Sequence, residues 1–280
     1  MSEPQHCYRH PDRETYVSCS ECGRPICEEC MTFAPVGIRC PDHANVGGVK
    51  RSTTRTARTA RRRAGTLEAP ATMTLVAINV IVYLITVFQG GGISQPGGTL
   101  FEKGALVGVL VSDGEWWRLV GAMFLHASLL HLAFNTLALY WLGSIVEQSI
   151  GTWRFVLVYF ASGLAGSAGA LVFSSAFAIT VGASGAIFGI MGALMILEYH
   201  ATGSLAGQAM GLIVINLALT FTIPNISIGG HLGGLVAGIA ASFALIRGRS
   251  VSPVLGPALV GVIAVASVVV AWVRVESYVF

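Results

Sequence analysis

Residues 181–189 read VGASGAIFG, and their one side-chain hydroxyl, Ser184, sits between small residues in one of the most apolar regions of the chain. Around it, 54% of the 280 residues are hydrophobic, 11% are charged, and the mean hydropathy is +0.70. That composition excludes an ordinary soluble domain and predicts an all-α polytopic membrane protein. Cysteine and basic charge are concentrated at one end. All 6 cysteines lie between Cys7 and Cys40, and most of the 17 Lys and Arg residues precede Ala64. The chain therefore divides into a small Cys-rich module over 1–45, a basic flexible linker over 46–70 and a membrane body over 71–280.

Four ligand pairs with two intervening residues stand out in the module: Cys7/His10, Cys19/Cys22, Cys27/Cys30 and Cys40/His43. This spacing lets both members of a pair reach one tetrahedral ion, so eight ligands supply two closed structural zinc sites. A disulfide framework leaves His10 and His43 without a role, and no signal peptide is expected ahead of the segment. Spacing alone leaves sequential and interleaved pairing open. The segment resembles a B-box-type zinc finger, which implies interleaving: Cys7, His10, Cys27 and Cys30 on one ion, and Cys19, Cys22, Cys40 and His43 on the other. Closed ligation leaves no position for water, so the module is expected to bind a cytoplasmic protein partner or to gate the membrane body, not to catalyse. Glu28 and Glu29 dilute its basic residues and make nucleic acid the weaker partner. His6 has no assigned role.

The linker carries Lys50, Arg51, Arg55, Arg58, Arg61, Arg62 and Arg63 among Gly, Thr and Ala, with too little apolar content to fold alone. Such a block can meet anionic lipid or nucleic acid. Just before an apolar span, its plainer effect is to hold the N-terminus on the cytoplasmic side.

Seven apolar spans follow, over 71–89, 119–142, 154–173, 184–198, 205–223, 229–246 and 253–273, with the fourth the shortest. Each is near the ~20 residues that cross a bilayer. With the N-terminus inside, the C-terminus ends outside, and Arg247 and Arg249 fall inside as the charge bias demands. The design suits a cell inner (plasma) membrane of bacterial type. The Gly-rich outer loop 90–118 ends in EWWR, whose Trp pair suits headgroup level.

Polar groups within spans are costly unless paired or hydrated. The prominent ones are His126, His131 and Asn135 in the second span, Ser184 in the fourth and His231 in the sixth. Counted at ~1.5 Å per residue from Glu147, Glu198 and Arg247, all but His126 fall roughly 18 to 24 Å above the inner ends. They share one slab of a ~30 Å hydrocarbon layer. Gly185, Gly189 and Ala193 recur beside Ser184, and Gly230, Gly234 and Gly238 recur beside His231. Such small-residue faces let helix backbones approach, so spans four and six are expected to bring Ser184 Oγ to a His231 nitrogen.

A serine hydroxyl needs a base within hydrogen-bond reach, and His231 fills that role. No carboxylate falls in the slab, so a Ser–His dyad without an acidic third member is expected. Attack on an amide builds an oxyanion, for which His131, Asn135 and the Ser184 backbone N–H are the donors. His126 falls about 140° around the helix from His131 and is expected to make a structural hydrogen bond. A short fourth helix that starts deep would set Ser184 at the floor of a water-accessible cavity.

The segments EWWR, HASLLHLAFN, GASGAIFG and GGHLGGLVAG resemble, in order, the signature segments of rhomboid intramembrane serine proteases. The resemblance covers about residues 71–280. It implies a six-helix core, here with one added C-terminal transmembrane helix. It also implies Ser184 as nucleophile, His231 as general base, His131 and Asn135 as oxyanion hole, and Trp117 and Arg118 as interface anchors of the first loop. No cofactor serves catalysis. The implied substrate is a single-span membrane protein, cut near its outer end. Many family members carry Tyr where this chain has Phe188, which can still stack on His231 but cannot hydrogen-bond to it. Two other classes compete. A metal transporter or membrane metalloprotease is disfavoured by the i, i+5 spacing of His126 and His131 and by the lack of HExxH and of intramembrane carboxylates. A non-catalytic relative that binds or escorts transmembrane clients would be marked by loss of Ser or His, and both are present.

Overall fold

The computed structural model describes residues 5–33, 37–43, 69–90, 92–93 and 96–278. It divides into two compact units, Met1–Thr66 and Leu67–Phe280. Apart from Ala69 and Pro70, the segment expected to be a linker lies outside the described residues.

The first unit holds two short antiparallel ribbons. β1 (Gln5–His6) pairs with β2 (Glu14–Thr15), and β3 (Thr32–Phe33) pairs with β4 (Ile38–Arg39). Its buried residues are Ile26, Thr15 and five cysteines, none of these in a disulfide. Below about 40 residues a core of this size does not hold a chain together without a cross-link or a metal.

In the second unit α1 (Pro70–Gln89) begins with Pro at its first turn, where the missing N–H costs nothing. Two short helices follow, α2 (Gly98–Gly104) and α3 (Gly108–Ser112), then α4 (Leu129–Ile150), α5 (Thr152–Phe173), α6 (Ser184–Thr202), α7 (Gln208–Thr222), α8 (Ile228–Arg249) and α9 (Leu255–Glu276). Six of them are long and apolar enough to cross a membrane, and α7 is an apolar helix of 15 residues. The chain is a multi-pass helical membrane protein: a six-helix core with α9 added at its C-terminal end.

Two of the expected spans are corrected. The second does not start at 119. Arg118–Gly121 and Ala122–Phe124 form separate turns, the backbone extends at Leu125, and Ser128 caps α4 by accepting from the His131 N–H. An unbroken apolar count hides that cap. The short helix is the fifth, not the fourth: α6 runs 19 residues because Glu198, the charge that seemed to end it, accepts from the Ala209 N–H at the start of α7. Glu147 acts similarly. Only 2% exposed, it accepts from the backbone N–H groups of Ala71 and Thr72 and from the hydroxyls of Thr72 and Thr152, so it caps α1 from the end of α4.

The core is built on α5, α6 and α8. The α6 side chains from Ala186 to Ile196 are buried without interruption, the pattern of a helix surrounded by others. Windows of α1 and α9 are only 28% and 22% buried, which leaves long apolar faces for lipid. Where α6 meets α8, a Cβ on Gly234 would run into the Gly185 carbonyl, and one on Gly238 into the Gly189 backbone. A Cβ on Gly185 would lie 3.2 Å from the Gly166 Cα of α5, which adds a third small-residue face to the two read from the sequence. Gly238→Val is expected to destabilise the body by about 1–3 kcal/mol or more by overpacking. Thermal unfolding in detergent should show a lowered Tm, whereas Gly261→Ala, at a position with open space around it, leaves Tm unchanged.

Candidate active site

Ser184 is the first residue of α6, and tertiary contacts fix the strand-like segment that delivers it. Leu106 and Thr180 exchange backbone hydrogen bonds of 3.0 and 2.9 Å, and the Gly182 N–H donates to the Ala122 carbonyl at 2.8 Å. Residues 96–118 thus include a folded element that pairs with the segment leading into Ser184. Gly182 has φ +129°, which favours glycine, and a Cβ there would lie 2.8 Å from His131 Cε1 and Nε2 and 3.7 Å from Ser184 Oγ. The imidazole and the hydroxyl therefore flank the same bare Cα. The first N–H groups of α6 have no partner within the helix, so the positive end of its dipole lies beside them.

His131 Nδ1 accepts from the Ala127 N–H at 3.4 Å, which puts the neutral ring's hydrogen on Nε2, the atom beside Gly182. One Asn135 amide hydrogen goes to the His131 carbonyl at 3.0 Å. His126 departs from the expectation. It precedes α4, so helical angles do not apply to it, and the extended chain folds it back until its ring meets that of His131 edge-on at 5.1 Å. It is fully buried, and neither ring nitrogen has a hydrogen-bond partner among the described residues.

His231 lies in the first turn of α8, capped by Ser227, and is 8% exposed. Phe188 stacks on it with centroids 4.1 Å apart and planes at 20°. Gly185 and Gly230, the chain neighbours of Ser184 and His231, meet directly: a Cβ on Gly185 would lie 3.2 Å from the Gly230 carbonyl oxygen. Among the described residues no hydrogen bond joins Ser184 to His231. The ring is held instead by Thr220 of α7, whose Oγ1 is 2.7 Å from Nδ1. Sequence reasoning missed Thr220 because it weighed only His, Asn and Ser in the spans; a hydroxyl on the helix just before His231 was the available signal.

Arg118 and Trp117 tie the loop to itself. Arg118, 3% exposed, donates to the Glu102 and Ala105 carbonyls at 2.7 and 2.6 Å and pairs with Glu115. Trp117 Nε1 donates to the Lys103 carbonyl while 57% of the residue stays exposed. Arg118 thus anchors inward, whereas the Trp117 ring stays largely exposed.

In the N-terminal unit the ligand atoms of Cys7, His10, Cys27 and Cys30 lie within 4.8 Å of one another, as do those of Cys19, Cys22, Cys40 and His43. His10 Nδ1 stands 3.3, 3.5 and 3.9 Å from the sulfurs of Cys27, Cys30 and Cys7, and Cys22 and Cys40 are 3.8 Å apart. A tetrahedral zinc with ~2.3 Å sulfur and ~2.0 Å nitrogen bonds needs edges of about 3.5–3.8 Å, so both donor sets fit that ion. Burial opposes ionisation of Cys7, but the backbone N–H groups of Cys27, Arg9 and His10 outweigh it and lower the thiol to about 6. Those of Cys40, Cys22 and Glu21 likewise lower Cys19 to about 6, which favours the thiolate that a metal requires.

The fold and its site define a multi-pass helical membrane protein in which a helix-leading serine, three imidazoles and a threonine converge. Relatives narrow the class. The Rhomboid domain family matches residues 113–248. The chain is 38% identical over 178 residues to rhomboid protease GluP of Bacillus subtilis, a match covering 62% of this chain and 34% of that protein. It is 36% identical over 142 residues to the putative rhomboid protease YdcA of the same organism, covering 49% of this chain and 71% of that one. RHOMBOID-like protein 5 of Arabidopsis thaliana matches at 37% over 157 residues, 53% of this chain and 50% of that one. This chain belongs to the rhomboid family.

Arg118→Gln leaves buried carbonyls of the first loop without donors, at about 1–3 kcal/mol each. Limited proteolysis should then cut within 98–118 faster than in the unmodified protein.

Proposed function

We propose that this chain is an intramembrane serine endopeptidase that cuts transmembrane segments of single-span membrane proteins, with Ser184 as nucleophile and His231 as general base. The observation that supports this reading is the backbone contact of Gly185 with Gly230, the chain neighbours of Ser184 and His231, at the end of the α6–α8 seam. Substrate binding would close the remaining gap, since catalytic hydrogen bonds often tighten only in the complex.

In this scheme His231 Nε2 takes the Ser184 hydroxyl proton as Oγ bonds to the scissile carbonyl carbon. The carbonyl π pair moves onto oxygen, where the Ser184 N–H, the His131 Nε2–H and the second Asn135 amide hydrogen receive it. Collapse breaks the C–N bond, and the imidazolium proton goes to the leaving amine. Water then repeats the sequence on the acyl-enzyme. The substrate must be unwound, because a helical carbonyl is held by its own hydrogen bond, and Gly, Ala or Pro near its outer end lowers that cost. The names of rhomboid protease GluP and putative rhomboid protease YdcA support the same chemistry.

The N-terminal unit would hold two structural zinc ions, one on Cys7, His10, Cys27 and Cys30 and one on Cys19, Cys22, Cys40 and His43, which cross-link a core too small to stand alone. Its partner would be a cytoplasmic protein. Basic residues ahead of α1 favour a cytoplasmic N-terminus, and seven helices then put the C-terminus outside, in a plasma membrane of bacterial type.

A fluorophosphonate probe is expected to label the unmodified chain and not Ser184→Ala, and reconstituted Ser184→Ala should cleave no transmembrane substrate; undiminished cleavage by that variant sinks the assignment. For the module, elemental analysis should find two zinc ions per chain, with one lost in Cys27→Ser and one in Cys40→Ser. Chelation should strip both and leave fluorophosphonate labelling intact.

A further inference from the structure

Thr220 has no role in the scheme so far, yet it is 2% exposed and makes two short contacts. Its Oγ1 lies 2.7 Å from the Asn216 carbonyl oxygen, one turn earlier on α7, and 2.7 Å from His231 Nδ1 on α8. A hydroxyl has one hydrogen. The carbonyl can only accept, so that hydrogen points to Asn216, and Oγ1 presents a lone pair to the ring. Nδ1 must then be the protonated nitrogen, because two lone pairs facing each other at 2.7 Å would repel. A neutral imidazole protonated at Nδ1 carries its free lone pair on Nε2.

We propose that Thr220 is a positioning residue that holds the His231 tautomer in the form able to accept a proton from Ser184. The inference rests on the assignment of Ser184 and His231 as the reacting pair. Thr220 would perform, without charge, the orienting task that a carboxylate performs in a Ser-His-Asp triad. A neutral partner suits a span, where a carboxylate would be costly to bury. Phe188 fixes the plane of the ring from its face, and Thr220 fixes its rotation within that plane. The Asn216 carbonyl makes the hydroxyl a one-way acceptor, so the relay from α7 to α8 has a defined direction. As His231 gains the serine proton, the Nδ1–H···Oγ1 bond becomes charge-assisted and strengthens in the state that needs it.

The test uses the full chain in detergent or liposomes with a transmembrane peptide substrate. Thr220→Val keeps the shape and removes the hydroxyl; it should lower kcat about tenfold, the equivalent of ~1.4 kcal/mol of barrier, with KM little changed. Thr220→Ser should restore most of the loss. Nitrogen-15 spectra of the neutral His231 ring in the unmodified protein should show the hydrogen on Nδ1, and this readout stands even if Thr220→Val fails to fold. Undiminished kcat in Thr220→Val, or a neutral ring protonated on Nε2, overturns the role of Thr220. Failure of the unmodified chain to react with a fluorophosphonate would instead overturn the Ser184–His231 pair on which it rests.

Discussion

Direct backbone contact between α6 and α8 is the constraint on which the membrane body depends. In hydrocarbon, apolar side chains gain little by leaving lipid for one another, so helix association relies on close packing and on hydrogen bonds. Gly234 against the Gly185 carbonyl and Gly238 against the Gly189 backbone give a contact that no side chain would permit. Gly166 of α5 closes the same junction from a third side. In the proposed scheme the seam would also set the chemistry, because Ser184 and His231 are the residues next to its outermost glycines. A wider crossing would separate the hydroxyl from the imidazole however well each helix were formed.

Polar groups in this body follow one logic. Several are placed where they satisfy a backbone group or another polar group that hydrocarbon would leave unpaired. Glu147 caps α1, Glu198 meets the first turn of α7, Arg118 gathers two loop carbonyls, and Ser128 and Ser227 cap α4 and α8. The carboxylates lie at helix ends, away from His231, whose ring partner is the uncharged Thr220. The Ser162 and Ser242 hydroxyls, buried without a partner among the described residues, are exceptions, and so is His126. Buried beside His131 with both ring nitrogens unpartnered, it is held by packing alone among the described residues.

Much of this was legible beforehand. Apolar runs located the helices, since crossing lipid needs a length and composition that few soluble helices share. The glycine spacing on 185–189 and 230–238 foretold the seam, because a four-residue period stays on one helix face. Errors arose where one local signal stood in for another. Glu198 looked like the end of a span because a charge usually marks one, yet its carboxylate is occupied at the start of α7. Residues 119–128 counted as helix because they are apolar, although Ser128 restarts the chain there. The angle assigned to His126 presumed a helix that does not exist at that point.

By itself, the sequence determined what depends on spacing along the chain. This covers which segments cross the membrane, which small faces can meet, and which Cys and His pairs can share an ion, because bond geometry and helical period fix these over a few residues. Tertiary structure alone decided what depends on distance through space. It seated Thr220 against His231, brought His126 to His131, and set the loop 90–118 against the segment that delivers Ser184. Each of those contacts joins residues on different elements. The Thr220–His231 geometry follows from how closely α7 and α8 approach, and that closeness comes from the summed packing of the whole bundle.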